Sequence, residues 1–185
     1  MTEPRITLAP AHGNPGEVQQ VLDTLSRPGR PPLNLFLALA RHPALLPDYL
    51  PLGARLLLSG TLPGRDRELA IMRTAWLCGC AYEWGQHLRL AARAGLSDEE
   101  IADIPDPLAG RWTQHEAALL HAASELVREH TIGQDTWNTL GETYDDVALI
   151  EFTMLVGHYA MLAGLLNAAK VPREEGVGGF PDGSP

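Results

Sequence analysis

Gly79 separates two strongly helical runs, and what the backbone does at that residue decides much of what the chain can build. Before it, residues 65–78 open with Arg65, Asp66, Arg67 and Glu68 and continue through Leu69, Ile71, Met72, Ala75, Trp76 and Leu77. After it, residues 81–94 form a second run that closes at Gly95. Gly79 is a break in the helical pattern, and Gly95 is a good C-terminal cap for the second run. If one helix ran straight through Gly79, Glu68 and His87 would lie roughly 28 Å apart, at about 1.5 Å per residue. They meet only if the chain folds back at Gly79, or if a second subunit supplies the acid.

The remaining segments also read as helix. Residues 18–26 carry apolar positions 18, 21, 22 and 25, the spacing of an amphipathic helix. Pro28, Gly29, Pro31 and Pro32 end that run. Residues 33–41 and 44–58 follow, the latter with Pro47 in its first turn, where a missing N–H costs little. Ser97 with Glu100 three residues later is a capping box. Residues 113–130, 134–142 and 145–169 complete the set, and no segment reads convincingly as a strand. The expected fold is all-α: an irregular N-terminal arm at 1–17, a single helical domain over 18–171, and a flexible Gly/Pro-rich tail at 172–185. A shift of 78 residues pairs Glu68-Leu-Ala-Ile-Met with Asp146-Val-Ala-Leu-Ile, and Leu77, Gly79 and Ala91 with Leu155, Gly157 and Ala169. This is a faint internal duplication. In the second copy Cys80, Glu83 and His87 become His158, Met161 and Leu165, so only the first copy carries the unusual polar set.

Composition narrows the function classes. A net charge of −9 and a pI of about 5.2 argue against nucleic acid or an anionic membrane surface as partner, since both reward clustered Lys and Arg. No apolar h-region follows the N-terminal residues, so no signal peptide is expected. The longest apolar stretch, 147–166, contains Glu151 and His158 and reads as a buried helix rather than a membrane span. Two cysteines one residue apart make no disulfide framework, and a reduced, cytoplasmic state is expected.

The chemistry concentrates in residues 78–87. On a helix, Cys80, Glu83 and His87 share one face, setting a thiol, an acid and a base on one stripe. Their helical neighbours are largely apolar, and a carboxylate buried there is costly unless paired. Glu83 and His87 therefore read either as an acid–base pair tuned by burial or as a helix-stabilising i,i+4 contact. Glu68 either joins them or serves as an N-terminal acid facing the helix dipole. Cys80 is either a thiol activated by His87 or, as expected for Cys78, a small buried hydrophobe. Tyr82 and Trp84 flank the acid and, with His158 and Tyr159, are candidates to wall a substrate pocket; core packing is the plainer role. No metal is expected, because the spacing is neither Glu-x-x-His nor His-Glu-x-x-His, and no cofactor is implied.

Arg67-Glu68, Tyr82-Glu83-Trp84-Gly85-Gln86-His87 and Gly95-Leu96-Ser97-Asp98-Glu99-Glu100-Ile101 together resemble the carboxymuconolactone decarboxylase family, which includes alkylhydroperoxidase D-like proteins. The stretches Pro31–Phe36 and Tyr159–Ala163 resemble it too. The resemblance implies an all-α fold assembled as a homo-oligomer, commonly a trimer or hexamer. Its peroxidase branch uses a Glu, a Cys-x-x-Cys and a His four residues after the second Cys. Glu68, Cys80 and His87 match, but Glu83 stands in place of the second, peroxide-attacking cysteine. The decarboxylase branch carries an acidic or other residue there together with a His. The expected function is thus acid/base chemistry, decarboxylation or isomerisation, on a small carboxylate or lactone, with His87, Glu83 and Glu68 in the site. The alternatives are peroxide reduction through Cys80 with an external thiol, and a non-catalytic, ligand-binding helical oligomer.

Overall fold

The computed structural model describes residues 3–26 and 29–181. Its helices are α1 (Gly16–Leu25), α2 (Asn34–Leu39), α3 (Leu45–Leu58), α4 (Gly64–Leu77), α5 (Ala81–Arg93), α6 (Asp98–Asp103), α7 (Gln114–Glu129), α8 (Gln134–Gly141) and α9 (Asp146–Ala169). No strand occurs among the described residues, so the chain is all-α. Helix boundaries fall close to those read from the periodicity. Ser97 and Glu100 form the expected capping box, and Thr113 with Glu116 forms a second one at the start of α7.

The chain does fold back at Gly79. This glycine sits at φ 59°, where a side chain is strained. Its N–H donates to the Trp76 carbonyl at 3.0 Å, and the Cys80 N–H reaches the Ala75 carbonyl at 2.9 Å. That pair of bonds is a Schellman motif, which satisfies the last carbonyls of α4 while reversing the chain. α5 then packs back along α4. α4 also packs on α7 and α9 and is buried nearly all round, as a central helix must be: Leu69, Ala70, Ile71, Met72 and Ala75 are inaccessible or nearly so. Arg73, buried on the same helix, donates to the Ile104 and Pro105 carbonyls and to Ser124 Oγ at 2.6–3.0 Å. Burial brings its guanidinium down to about 10. The cation lies where α6 ends, which favours positive charge.

Two segments differ from the sequence-based expectation. α9 is buried on one side only: Leu149, Phe152, Leu155, Val156 and Tyr159 face the core, while Val147, Ile150, Met154 and Met161 are exposed. The 78-residue shift pairs helix with helix, and α9 packs on α4, but α9 runs unbroken through Gly157 where the first copy turns at Gly79. The segment after α9, expected to be a flexible tail, lies against α5 as far as residue 181. A Cβ on Gly85 would fall 2.1 Å from the Gly178 carbonyl oxygen, so the close approach requires a glycine there. Phe180 sits between Trp76 and Trp84, at centroid distances of 5.2 and 5.4 Å. Glu174 accepts from the Asn34 N–H and the Tyr82 hydroxyl, each at 2.7 Å, and from the Gln86 amide. The Gly/Pro-rich composition suggested disorder because it shows neither these aromatic contacts nor the smooth patch that Gly85 leaves on α5. The part of the expected tail at 182–185 lies outside the described residues. The irregular arm is pinned too, by Arg5 N–H to the Ala169 carbonyl and Ala9 N–H to the Leu37 carbonyl.

Phe180→Ala removes a half-buried ring from between two indoles. It is expected to cost about 2 kcal/mol, roughly half the value for a fully buried phenylalanine. A lowered urea midpoint with a shifted native tryptophan emission spectrum is the measurement.

Candidate active site

The hairpin at Gly79 brings α4 and α5 side by side and sets Glu68 opposite His87. His87 Nδ1 lies 2.7 Å from Glu68 Oε2, with the histidine 4% and the glutamate 0% exposed. Glu68 Oε1 also receives Arg67 Nε at 3.3 Å. A carboxylate only accepts, so Nδ1 carries the proton and Nε2 is left free to exchange one. Glu83, one turn earlier on α5, has Oε2 3.6 Å from that Nε2. This is too far for a direct hydrogen bond. Its other oxygen, Oε1, is buried with no hydrogen-bond partner among the described residues. Burial pushes the Glu83 carboxyl above its usual range; the His87 ring opposes this and Glu174 adds to it.

Glu83 and His87 form one wall of a cavity of about 500 Å³, bounded by the end of α1 and by α2, α3, α5 and α9. Thr24, Tyr49, Tyr82, Gln86, His158 and Tyr159 are the other polar residues described in its lining, and leucines and Phe36 supply most of the rest. Neither Lys nor Arg is among the described lining residues. Tyr159 stands edge-on to His87, with centroids 5.1 Å apart at 87°. The His158 ring stacks on Tyr49 at 5.2 Å, and Nε2 lies 3.2 Å from the Tyr49 hydroxyl. Burial lowers the His158 pKa and keeps that ring neutral. Such a small, largely apolar cavity with a few convergent polar groups has the form of a small-molecule site.

The structure therefore brings Glu68, Glu83 and His87 together and puts Tyr82 and His158 on the cavity wall. It does not bring Trp84 there: that ring, 1% exposed, packs with Leu69, Met72 and Ala75 on the opposite side of α5. Nor does Cys80 line the cavity. It is the N-cap of α5, with φ −96° and ψ 86°, so its side chain leaves the helical face that spacing alone assigned to it. It is fully inaccessible among apolar residues, and burial pushes its thiol up to about 12. Cys78 is half-buried, and its thiol is raised for the same reason. Tyr49, Gln86 and Glu174 were not foreseen. Tyr49 comes from a leucine-rich helix whose charged residues, Asp48 and Arg55, do not line the cavity, and Glu174 from the Gly/Pro-rich end.

Residues 43–125 match the model of the carboxymuconolactone decarboxylase family, a span that holds α3 to most of α7 and includes Glu68, Glu83 and His87. Residues 43–125 belong to the carboxymuconolactone decarboxylase family. No curated protein matches the chain. Among solved structures, the chain resembles a peroxidase-related protein of Ralstonia eutropha described as an alkylhydroperoxidase AhpD core, at a TM-score of 0.80 and 17% identity over 93% of each chain. A peroxidase-related protein from Silicibacter gives a TM-score of 0.80 and 16% identity, over 96% of this chain and 97% of the other. The debrominase Bmp8 gives 0.70 and 16%, over 85% of this chain and 86% of the other. At these identities the likeness establishes the alkylhydroperoxidase D-like fold of this chain.

The raised Glu83 pKa fixes the sign of a stability effect. The folded state holds the Glu83 proton to higher pH than the unfolded chain does, so this residue's contribution falls as pH rises from the ordinary carboxyl range through the raised value. Glu83→Gln is expected to leave stability near pH 4 unchanged and to raise the melting temperature at pH 7–8 by a few degrees, about 2–4 °C per kcal/mol at this size. Thermal melts of both proteins across pH measure it.

Proposed function

We propose that this cavity is the active site of an acid/base enzyme that isomerises or decarboxylates a small lactone. The observation that carries the reading is the buried Glu68–His87–Glu83 line opening into an apolar cavity. In this reading His87 Nε2 removes a proton from the carbon beside the lactone carbonyl. Glu68 holds Nδ1–H and offsets the positive charge that forms on the ring. Glu83, whose burial favours its protonated form, donates to the carbonyl oxygen as negative charge develops there. The imidazolium then returns its proton to a different carbon, which completes an isomerisation. In the decarboxylation limb the carbon–carboxylate bond breaks instead and CO2 leaves; the electron pair is held on the lactone carbonyl oxygen as an enolate and returns to the vacated carbon as that carbon takes the Glu83 proton, which solvent replaces. Neither Lys nor Arg is among the described lining residues, which favours isomerisation of an uncharged lactone over decarboxylation, whose substrate would bring an ionised carboxylate to a wall without a described cation.

Thiol chemistry at Cys80 is the second reading, and what favours it is the structural likeness to peroxidase-related proteins. The buried position and raised pKa of this thiol weigh against it.

The test is proton exchange. Unsaturated γ-lactones incubated with the protein in D2O should gain deuterium beside the carbonyl, followed by NMR. His87→Ala should lower that rate by about 10²–10⁴-fold, the usual range for a lost general base. Glu68→Gln should lower it substantially as well, and Cys80→Ser should leave it unchanged. A rate lost with Cys80→Ser and kept with Glu83→Gln would overturn the proposal. Hydroperoxide treatment followed by mass spectrometry should find Cys80 unmodified; sulfenic acid at that residue would favour the thiol reading.

A further inference from the structure

The outward face of α9 is an unbroken apolar seam. Val147, Ile150, Met154, Gly157, Met161, Gly164 and Ala168 are all exposed. Their spacing alternates three and four residues along the whole helix, the 3.5-residue repeat of a helix-pairing seam. Val147, Ile150, Met154 and Met161 are 50–64% exposed, in a chain whose net charge is −9. A helix face left in water is ordinarily polar. The acid beside the seam, Glu151, is drawn away from it by the Thr61 and Leu62 N–H groups at 2.7–3.1 Å.

The glycines are the decisive feature. A Cβ built on Gly157 or Gly164 meets nothing within 4 Å, so packing within one copy gives no reason for either. Each costs helix stability relative to alanine, by about 1 kcal/mol. A second backbone approaching closely would supply the reason.

We propose that α9 pairs with α9 of a second copy, antiparallel about a two-fold axis near Gly157. The seam complements itself in that direction. Its bulky residues lie in the first half, Val147, Ile150 and Met154, and its smallest, Gly164 and Ala168, in the second. Antiparallel pairing sets Val147 against Ala168, Ile150 against Gly164, and Met154 against Met161. It also sets Asp146, at the helix start, against Lys170, the chain's one lysine, at the helix end. A parallel pair would instead bring Asp146 against Asp146 and leave the two glycine gaps facing each other. The opposite face of the same helix carries His158 and Tyr159, so the interface backs directly onto the cavity. This inference does not rest on the proposed chemistry.

The test is mass in solution, with crosslinking to fix direction. Light scattering should give an even multiple of the 20.1 kDa chain. Ile150→Glu and Met161→Glu should each raise the dissociation constant by about 30-fold or more, the scale of an interface hot spot, with unchanged far-ultraviolet circular dichroism. In a Cys78→Ser background, Gly157→Cys should crosslink to itself, Val147→Cys should not, and Val147→Cys mixed with Ala168→Cys should. The mild Gly157→Cys variant keeps the test sound if a charged one misfolds. A monomeric or purely trimeric protein, a mass indifferent to both glutamates, or self-crosslinking at position 147 would overturn the proposal. So would a monomer that binds lipid vesicles through this helix.

Discussion

The hydrogen bond between Glu68 and His87 joins two helices that are consecutive in sequence, and the rest of the site is arranged around it. Burying a carboxylate and an imidazole together is favourable only while each has the other. Glu68 is wholly inaccessible, so removing His87 would leave a buried carboxylate with only Arg67 to offset it. That requirement fixes the register of α5 on α4, and the register in turn aims His87 Nε2 into the cavity. The left-handed turn at Gly79 makes the contact possible, converting a separation of nineteen residues into 2.7 Å.

Two glutamates flank one imidazole, and their surroundings push them toward different roles. Glu68 is hydrogen-bonded by His87 and Arg67. Glu83 has an oxygen with no described partner, and burial raises its pKa. Glu68 is thus the acceptor of the imidazole Nδ1–H, and burial favours the protonated form of Glu83. The aromatic wall of Tyr49, Tyr159 and His158 excludes water and leaves the polarity of the cavity to a handful of atoms.

Much of this was legible in the residues. The helices follow from their apolar spacing, and the Ser97–Glu100 box marks the start of α6. The pairing of Glu83 with His87 follows from i,i+4 geometry, and the fold-back at Gly79 was one of only two ways for Glu68 to join them. What stayed hidden was tertiary. Cys80 looked like part of the stripe because periodicity assumes helix on both sides of a break, whereas an N-cap residue has its own backbone angles. Trp84 flanks the acid in sequence, but adjacent positions on a helix point about 100° apart. Mean hydropathy could not show that α9 has one dry face and one wet one. Tyr49 and Glu174 reach the site from segments whose composition carries no hint of it.

The strap over α5 gives the cavity a particular kind of softness. Residues 172–181 contribute no helical ladder, yet their Glu174 carboxylate holds Tyr82 and Gln86, two residues of the cavity wall. Segments held by a few side-chain bonds open at lower free energy than the core they cover. The wall therefore shares the strap's local opening equilibrium instead of the global unfolding of the helical bundle. Amide exchange across residues 172–181 would report how often this side of the cavity loosens while Glu68 and His87 stay paired behind it.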